Sequence, residues 1–200
     1  MPSRNVGVIV GSLRRDSYTR KIARAVMSMA PPTLSLSFVE IGDLPLYNPD
    51  LEGEQSPPAW TEFRKRIREV DSLLFFTPEH NRGLPAAMKN AIDVGSRPPG
   101  QNTWGGKPAG TVSVTPGALG AMGSHQQLRQ SLAAVGVAVM PSPEMYIGNV
   151  ATLLAEDGSV TNEKTREQLQ RFLNSYVIWL ERFPVAQRST ATTAPVARAT

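Results

Sequence analysis

The sequence predicts an α/β fold, a doubly wound parallel sheet of five strands covered by helices on both faces. Three observations carry this. Apolar runs such as Val6-Gly7-Val8-Ile9-Val10 and Leu73-Leu74-Phe75-Phe76 lack the polar alternation of a half-exposed sheet, so they read as strands buried on both faces. Between such runs lie segments with apolar residues at helical spacing, Ile22, Ala25, Val26 and Met29 among them. Loops rich in glycine and proline follow the strands, and strand–helix alternation implies parallel strands joined by right-handed crossovers.

In order, residues 5–10 form the first strand and 17–29 the first helix, which Pro31-Pro32 ends. Leu34, Leu36, Phe38 and Val39 nearly alternate, giving a second strand over 34–41. The loop 42–58 contains Leu44-Pro45-Leu46-Tyr47-Asn48-Pro49, whose prolines exclude regular structure. Trp60, Phe63 and Ile67 share one face of a helix over 60–68. Residues 71–77 are apolar through their middle and form a central third strand. An exit loop, 78–83, leads to a helix over 84–94 opened by Pro85. A fourth strand over 109–115 is followed by a loop at 116–124 with Gly117, Gly120 and Gly123, then a helix over 126–134. The fifth strand, 137–140, resumes near 145–147. Leu169, Phe172, Leu173, Tyr176, Val177 and Leu180 form the stripe of a last helix over 161–183. Residues 1–186 thus make one domain, and the Thr/Ala-rich stretch 187–200 reads as a disordered tail. Five-stranded sheets of this kind commonly run 2-1-3-4-5, the flavodoxin-like arrangement, with a ligand crevice between strands one and three.

Composition narrows the function. The chain has 200 residues and no cysteine, which excludes disulfides, thiolate metal sites and a cysteine nucleophile together. Its formal charge of +4 is spread out, with clusters at Arg14-Arg15 and Arg64-Lys65-Arg66, the latter assigned to a solvated helix face. No basic run is interleaved with aromatics, so nucleic acid is not an expected partner. Neither a signal peptide nor a membrane span is legible, and the expected location is the cytoplasm. There is no Gly-x-Ser-x-Gly elbow for a serine nucleophile and no Gly-x-Gly-x-x-Gly after the first strand. His80 and His125, the only histidines, match no metal-ligand spacing; a hydrated loop side chain is the plain reading, and no metal is expected. Lys89 and Asp93 read as a surface pair with a helix-capping role.

Gly11-Ser12-Leu13-Arg14-Arg15-Asp16-Ser17-Tyr18-Thr19-Arg20 joins the first strand to the first helix. Helix N-terminal amides, hydroxyls and three arginines make this a phosphate cradle in chemical terms. The plainer alternative is that Asp16 or Ser17 serves only as an ordinary N-cap.

Three motifs resemble the NADPH-dependent FMN reductase family, which includes chromate and quinone reductases. They are Gly11-Ser12-Leu13-Arg14 with Ser17 and Arg20; Thr77-Pro78-Glu79-His80-Asn81 followed by 84–93; and 115–120 with Leu128-Arg129-Gln130. The resemblance implies FMN at the carboxyl ends of strands one, three and four. Ser12, Leu13, Arg14, Ser17, Tyr18 and Thr19 would hold its phosphate. Pro78, Glu79, His80, Asn81 and Arg82 would line the ring, and Thr115, Pro116, Gly117 and Gly120 would meet its other edge. The family often has tyrosine at His80, an aromatic or serine at Arg82 and Gly83, and arginine and tyrosine at Gly123 and Gln126, so the resemblance sets neither a substrate preference nor a tetramer contact built from that arginine and tyrosine. The implied activity is ping-pong transfer from NADPH or NADH, through the flavin, to quinones, free flavin, azo compounds or metal oxyanions, with no catalytic side chain required. A flavin-bearing electron carrier, or a non-catalytic flavin-binding module, is the alternative; carriers usually ring the flavin with acidic residues, whereas this chain is basic. A homodimer or homotetramer is expected, with Tyr47 and Trp104 as interface candidates and Glu144 at a subunit contact by analogy.

Overall fold

A computed structural model describes residues 3–184 and shows a six-stranded parallel sheet. The tail expected at 187–200 lies outside the described residues. In chain order the elements are β1 (Arg4–Val10), α1 (Tyr18–Met29), β2 (Leu34–Phe38), α2 (Pro58–Glu69), β3 (Ser72–Thr77), α3 (Ala86–Gly95), β4 (Pro108–Val114), α4 (Met122–Ala134), β5 (Ala138–Val139), β6 (Met145–Ile147) and α5 (Glu163–Leu180). The strand order is 2-1-3-4-5, with β6 also paired to β4. β1 and β4 flank β3, with Val8 opposite Leu74 and Leu74 opposite Gly110.

Two apolar layers cover the sheet. Val6, Val8, Val10, Leu74, Phe76, Val112 and Val114 face α1 and α5, where Ile22, Val26, Phe172 and Tyr176 are buried. Ile9, Leu73, Phe75 and Ala109 face the other way, against Trp60, Ile67, Ile92, Leu128 and Leu132 of α2, α3 and α4. The period-2 alternation of strand side chains puts successive residues into opposite layers, which is why β3 is buried at every position.

Several boundaries differ from expectation. β2 stops at Phe38, although the Val39 amide still donates to Val8 O at 2.9 Å. The proline-rich loop carries two single 3-10 turns, Pro49–Leu51 and Gly53–Gln55; Asn48 caps the first by accepting from the Asp50 amide. Pro85 caps α3 from outside it. α4 begins four residues before the expected 126, so Gly123 and Ser124 belong to the helix and not to the loop.

Two side chains expected on the surface or at an interface, Arg64 and Trp104, are structural. Arg64 is 5% exposed: its Nε donates to Val94 O at 2.9 Å and its Nη atoms to the Glu52 carboxylate at 2.6 and 3.3 Å. It lies one residue from Phe63 and four from Trp60, so helical spacing turns it inward, away from exposed Lys65 and Arg66. Trp104, expected at an interface, is fully buried, with Nε1 donating to Ile92 O at 2.9 Å. Tyr47 is half-buried against Trp60, with ring centroids 5.4 Å apart. Lys89 and Asp93 do form the expected surface pair, at 2.7 Å.

Candidate active site

Because β1, β3 and β4 are adjacent and parallel, their three exit loops emerge side by side at one end of the sheet. At neighbouring-strand spacing, the first and third loops lie about 10 Å apart across the second. The first two touch: a Cβ on Gly11 would stand 3.2 Å from Pro78, and the Gly11 amide donates to Phe76 O at 2.8 Å.

The first loop ends at the N-terminus of α1. Among the described residues, no amide from 12 to 19 donates to a protein acceptor. Leu13, Arg14, Arg15 and Asp16 are exposed, while Ser12, Ser17 and Thr19 are buried and Tyr18 is half-buried. Ser17 is the N-cap, its Oγ accepting from the Arg20 amide at 3.1 Å. A hydroxyl can accept and donate at once, so the cap leaves the Ser17 hydrogen able to point outward. Two expected charges are neutralised locally: Arg20 forms a two-pronged pair with Glu40 (2.8 Å for one bond), and Asp16 pairs with Lys21. Glu40 and Asp16 sit below the usual carboxylate range because Arg20 and Lys21, respectively, hydrogen-bond to them. Arg14 and Arg15 remain as the exposed positive pair at the turn.

In the second loop, Asn81 and Arg82 both have positive φ, +50° and +65°, at the tip of a tight hairpin. The hairpin is closed by His80 N to Gly83 O (3.1 Å) and Gly83 N to His80 O (2.9 Å). His80, Asn81 and Arg82 are exposed. The Glu79 carboxylate turns back to the N-terminus of α4, accepting from the Ser124 amide at 3.1 Å. α4 has no cap of its own: Ala121 stands at the N-cap in the left-handed region without a side-chain bond. A carboxylate brought from another loop satisfies one of the donors at that end and favours the helix dipole. Gly123 is what lets the two approach, since a Cβ there would lie 2.9 Å from Arg82 O and 3.0 Å from Glu79.

The third loop exposes Pro116 and Gly117, with Thr115 half-buried. A Cβ on Gly117 would meet only Thr115 within 4 Å, so its outer side is open. Gly120 differs. It is buried at φ +63°, and a Cβ there would sit 2.7 Å from the Cβ of Tyr146, so packing against β6 and a left-handed backbone already account for that glycine.

Beneath these loops runs a buried polar chain. Thr77 Oγ1 donates to Pro78 O at 2.8 Å, so the 2.9 Å contact with Ser124 has the serine as donor. Ser113 Oγ likewise gives its one hydrogen chiefly to Gly120 O, at 2.6 Å. His125 Nδ1 therefore donates to Ser113 Oγ (3.2 Å), and Nε2 accepts from Thr111 Oγ1 (3.0 Å). His125 is not the hydrated loop side chain the sequence suggested. It lies on α4, fully buried and 4.5 Å from the Tyr146 ring, and burial pushes its pKa down to about 4, with Glu144 raising it and Arg129 lowering it. Near the surface, Tyr146 donates to Glu144 at 2.5 Å and accepts from Gln126 at 2.7 Å. No signal within the α4 sequence marks His125 as a buried hinge of hydrogen bonds; only its distance in space from Thr111 and Ser113 reveals it.

A parallel sheet in this order, with its exit loops gathered at the carboxyl ends of β1, β3 and β4, defines a flavodoxin-like α/β protein. Residues 4–152 match the NADPH-dependent FMN reductase family, and the chain belongs to it. It is 52% identical to a quinone reductase of Pseudomonas putida over 177 residues, 88% of this chain and 95% of that one. The structure of FerB, a flavoenzyme NAD(P)H:acceptor oxidoreductase of Paracoccus denitrificans, superposes with a TM-score of 0.84 at 42% identity, covering 90% of this chain and 98% of the other. A flavodoxin of Pseudomonas aeruginosa shares the fold, with a TM-score of 0.54 at 15% identity over 88% of this chain and 99% of its own. The chain is accordingly an NAD(P)H-dependent oxidoreductase that uses FMN. The residues present fit that group: unpaired amides at a helix N-terminus suit a phosphate dianion, and the open backbone at Gly117 admits a flat ring edge.

Proposed function

We propose that this protein is a quinone reductase that binds FMN across the three loops and takes electrons from NADPH or NADH. The observation carrying the reading is the run of amides from 12 to 19 that, among the described residues, have no protein acceptor at the start of α1, beside exposed Arg14 and Arg15. Ser12, Leu13, Arg14, Ser17, Tyr18 and Thr19 hold the phosphate in this reading. Pro78, Glu79, His80, Asn81 and Arg82 form one wall for the ring, and Thr115, Pro116, Gly117 and Gly120 the other. FMN, when bound, supplies the hydride chemistry. The chain's part is to bind and orient it: the Glu79–Ser124 bond fixes one wall to α4, and Ser113 fixes the other through Gly120 O. Exposed apolar side chains on this end of the molecule, Leu13, Leu46, Leu119 and Met122, support a homodimer or homotetramer that covers the site. The absence of cysteine fits a reducing, cytoplasmic setting.

The test is direct. The purified protein is mixed with FMN, its visible spectrum recorded, and NADPH or NADH oxidation followed with a benzoquinone as acceptor. Bound, red-shifted flavin with quinone-dependent oxidation is the expected result. Protein that stays colourless with added FMN, or holds FMN yet passes no electrons to quinone, would refute it; a mass in solution checks the oligomer.

A further inference from the structure

α4 reaches both walls of the site through two consecutive residues of its first turn. Ser124 holds the β3 exit loop, by its amide to Glu79 and its hydroxyl to Thr77, which in turn donates to Pro78 O. His125 holds the β4 exit loop, by Nδ1–H to Ser113, which donates to Gly120 O. Thr111 fills the remaining ring nitrogen, so the neutral imidazole has no spare bonding capacity.

We propose that His125 is a positioning residue for flavin binding, the α4 half of a clamp whose Ser113 arm fixes Gly120 and with it the loop 115–120. The proposal rests on the reading that this loop meets the flavin ring. Four features carry it. The chain of bonds is buried end to end, where an unmade bond is most costly. It ends on the carbonyl of Gly120, a residue free to adopt many backbone conformations, so the bond from Ser113 selects one of them. Its tautomer is dictated by Ser113 having a single hydrogen. Tyr146 packs on both His125 and Gly120, so the imidazole also supports the loop's underside.

The clamp separates from ordinary core packing by the choice of replacement. Asparagine keeps an N–H near the Nδ1 position and so keeps the Ser113 bond; phenylalanine fills the space and supplies no donor. FMN dissociation constants and amide hydrogen exchange over 115–121 would be measured for wild type, H125N, H125F, S113A and the H125F/S113A double variant. Ile67→Ala, a cavity on α2 away from the loops, serves as a control for lost stability. H125F and S113A each weaken FMN binding about tenfold, and the double variant is no worse than either, because both cut one chain of bonds. H125N stays within about threefold of wild type, and exchange over 115–121 speeds up in H125F and S113A even without FMN. Unchanged exchange there in H125F, or an equal loss of FMN affinity in Ile67→Ala, would overturn the clamp. Wild-type protein that binds no FMN while H125F still loosens 115–121 would overturn the functional reading and leave the clamp standing as a feature of the loop alone.

Discussion

Acidification from neutral pH to about pH 4 will destabilise this fold by about 3 kcal/mol through His125 alone. The folded imidazole is neutral, fully buried and bonded at both nitrogens, and burial holds its pKa near 4 against 6.5 for an unperturbed side chain. Above pH 6.5 neither folded nor unfolded chain carries the proton, and the effect vanishes. Between 6.5 and about 4 the unfolded chain takes up a proton that the folded one refuses, so stability falls steadily as pH falls. Below that both states are protonated and the loss stops growing. Each tenfold in proton affinity is worth about 1.4 kcal/mol, which gives the total. Arg129 and Glu144 are the charged groups that bear on the ring; Glu144, held low by its bond from Tyr146, stays ionised through most of the window. The assay is urea unfolding across this pH range for wild type and H125N, since carboxylate effects common to both cancel in the difference. Stability curves that run parallel down to pH 4 would refute the reasoning, because a buried neutral imidazole cannot be indifferent to the proton.

Two further perturbations test other parts of the molecule. Glu52→Gln leaves the Arg64 guanidinium buried with its charge unmatched and should cost about 3 kcal/mol in urea unfolding; a change under about 1 kcal/mol would show that solvent already screens the pair. Ser17→Ala removes the α1 cap, costing about 1 kcal/mol, and lowers FMN affinity roughly tenfold if the hydroxyl also meets the phosphate. Stability lost without affinity lost would confine Ser17 to capping.

The parallel core was legible because β1 and β3 bury both faces and so carry unbroken apolar runs that no amphipathic helix would show. The first turn of α4 was not: Gly123 argues against a helix, and what supports one there, the Glu79 carboxylate, arrives from a loop more than forty residues earlier. Arg64 was misplaced for the same kind of reason, since a charge cluster reads as surface until a distant Glu52 is known to face it. At the site, the turn at 11–20 was visible through its hydroxyl and arginine content, yet which arginines remain exposed depended on Glu40, which lies beyond α1. His125 shows the limit most clearly, because its partners Thr111 and Ser113 are ordinary strand residues until the sheet places them under α4.

The two lateral margins of the sheet bear on how copies of this protein can meet. One margin is β2, five residues with serines pointing outward; the other is broken into the two residues of β5 and the three of β6, both laid against β4. Neither presents a long, flat ladder of unsatisfied backbone groups, so joining molecules by continuing the sheet from one to the next is disfavoured. Self-association is thereby directed to side-chain contacts, and a crowded cell gains a protein whose rims are poor seeds for fibrils.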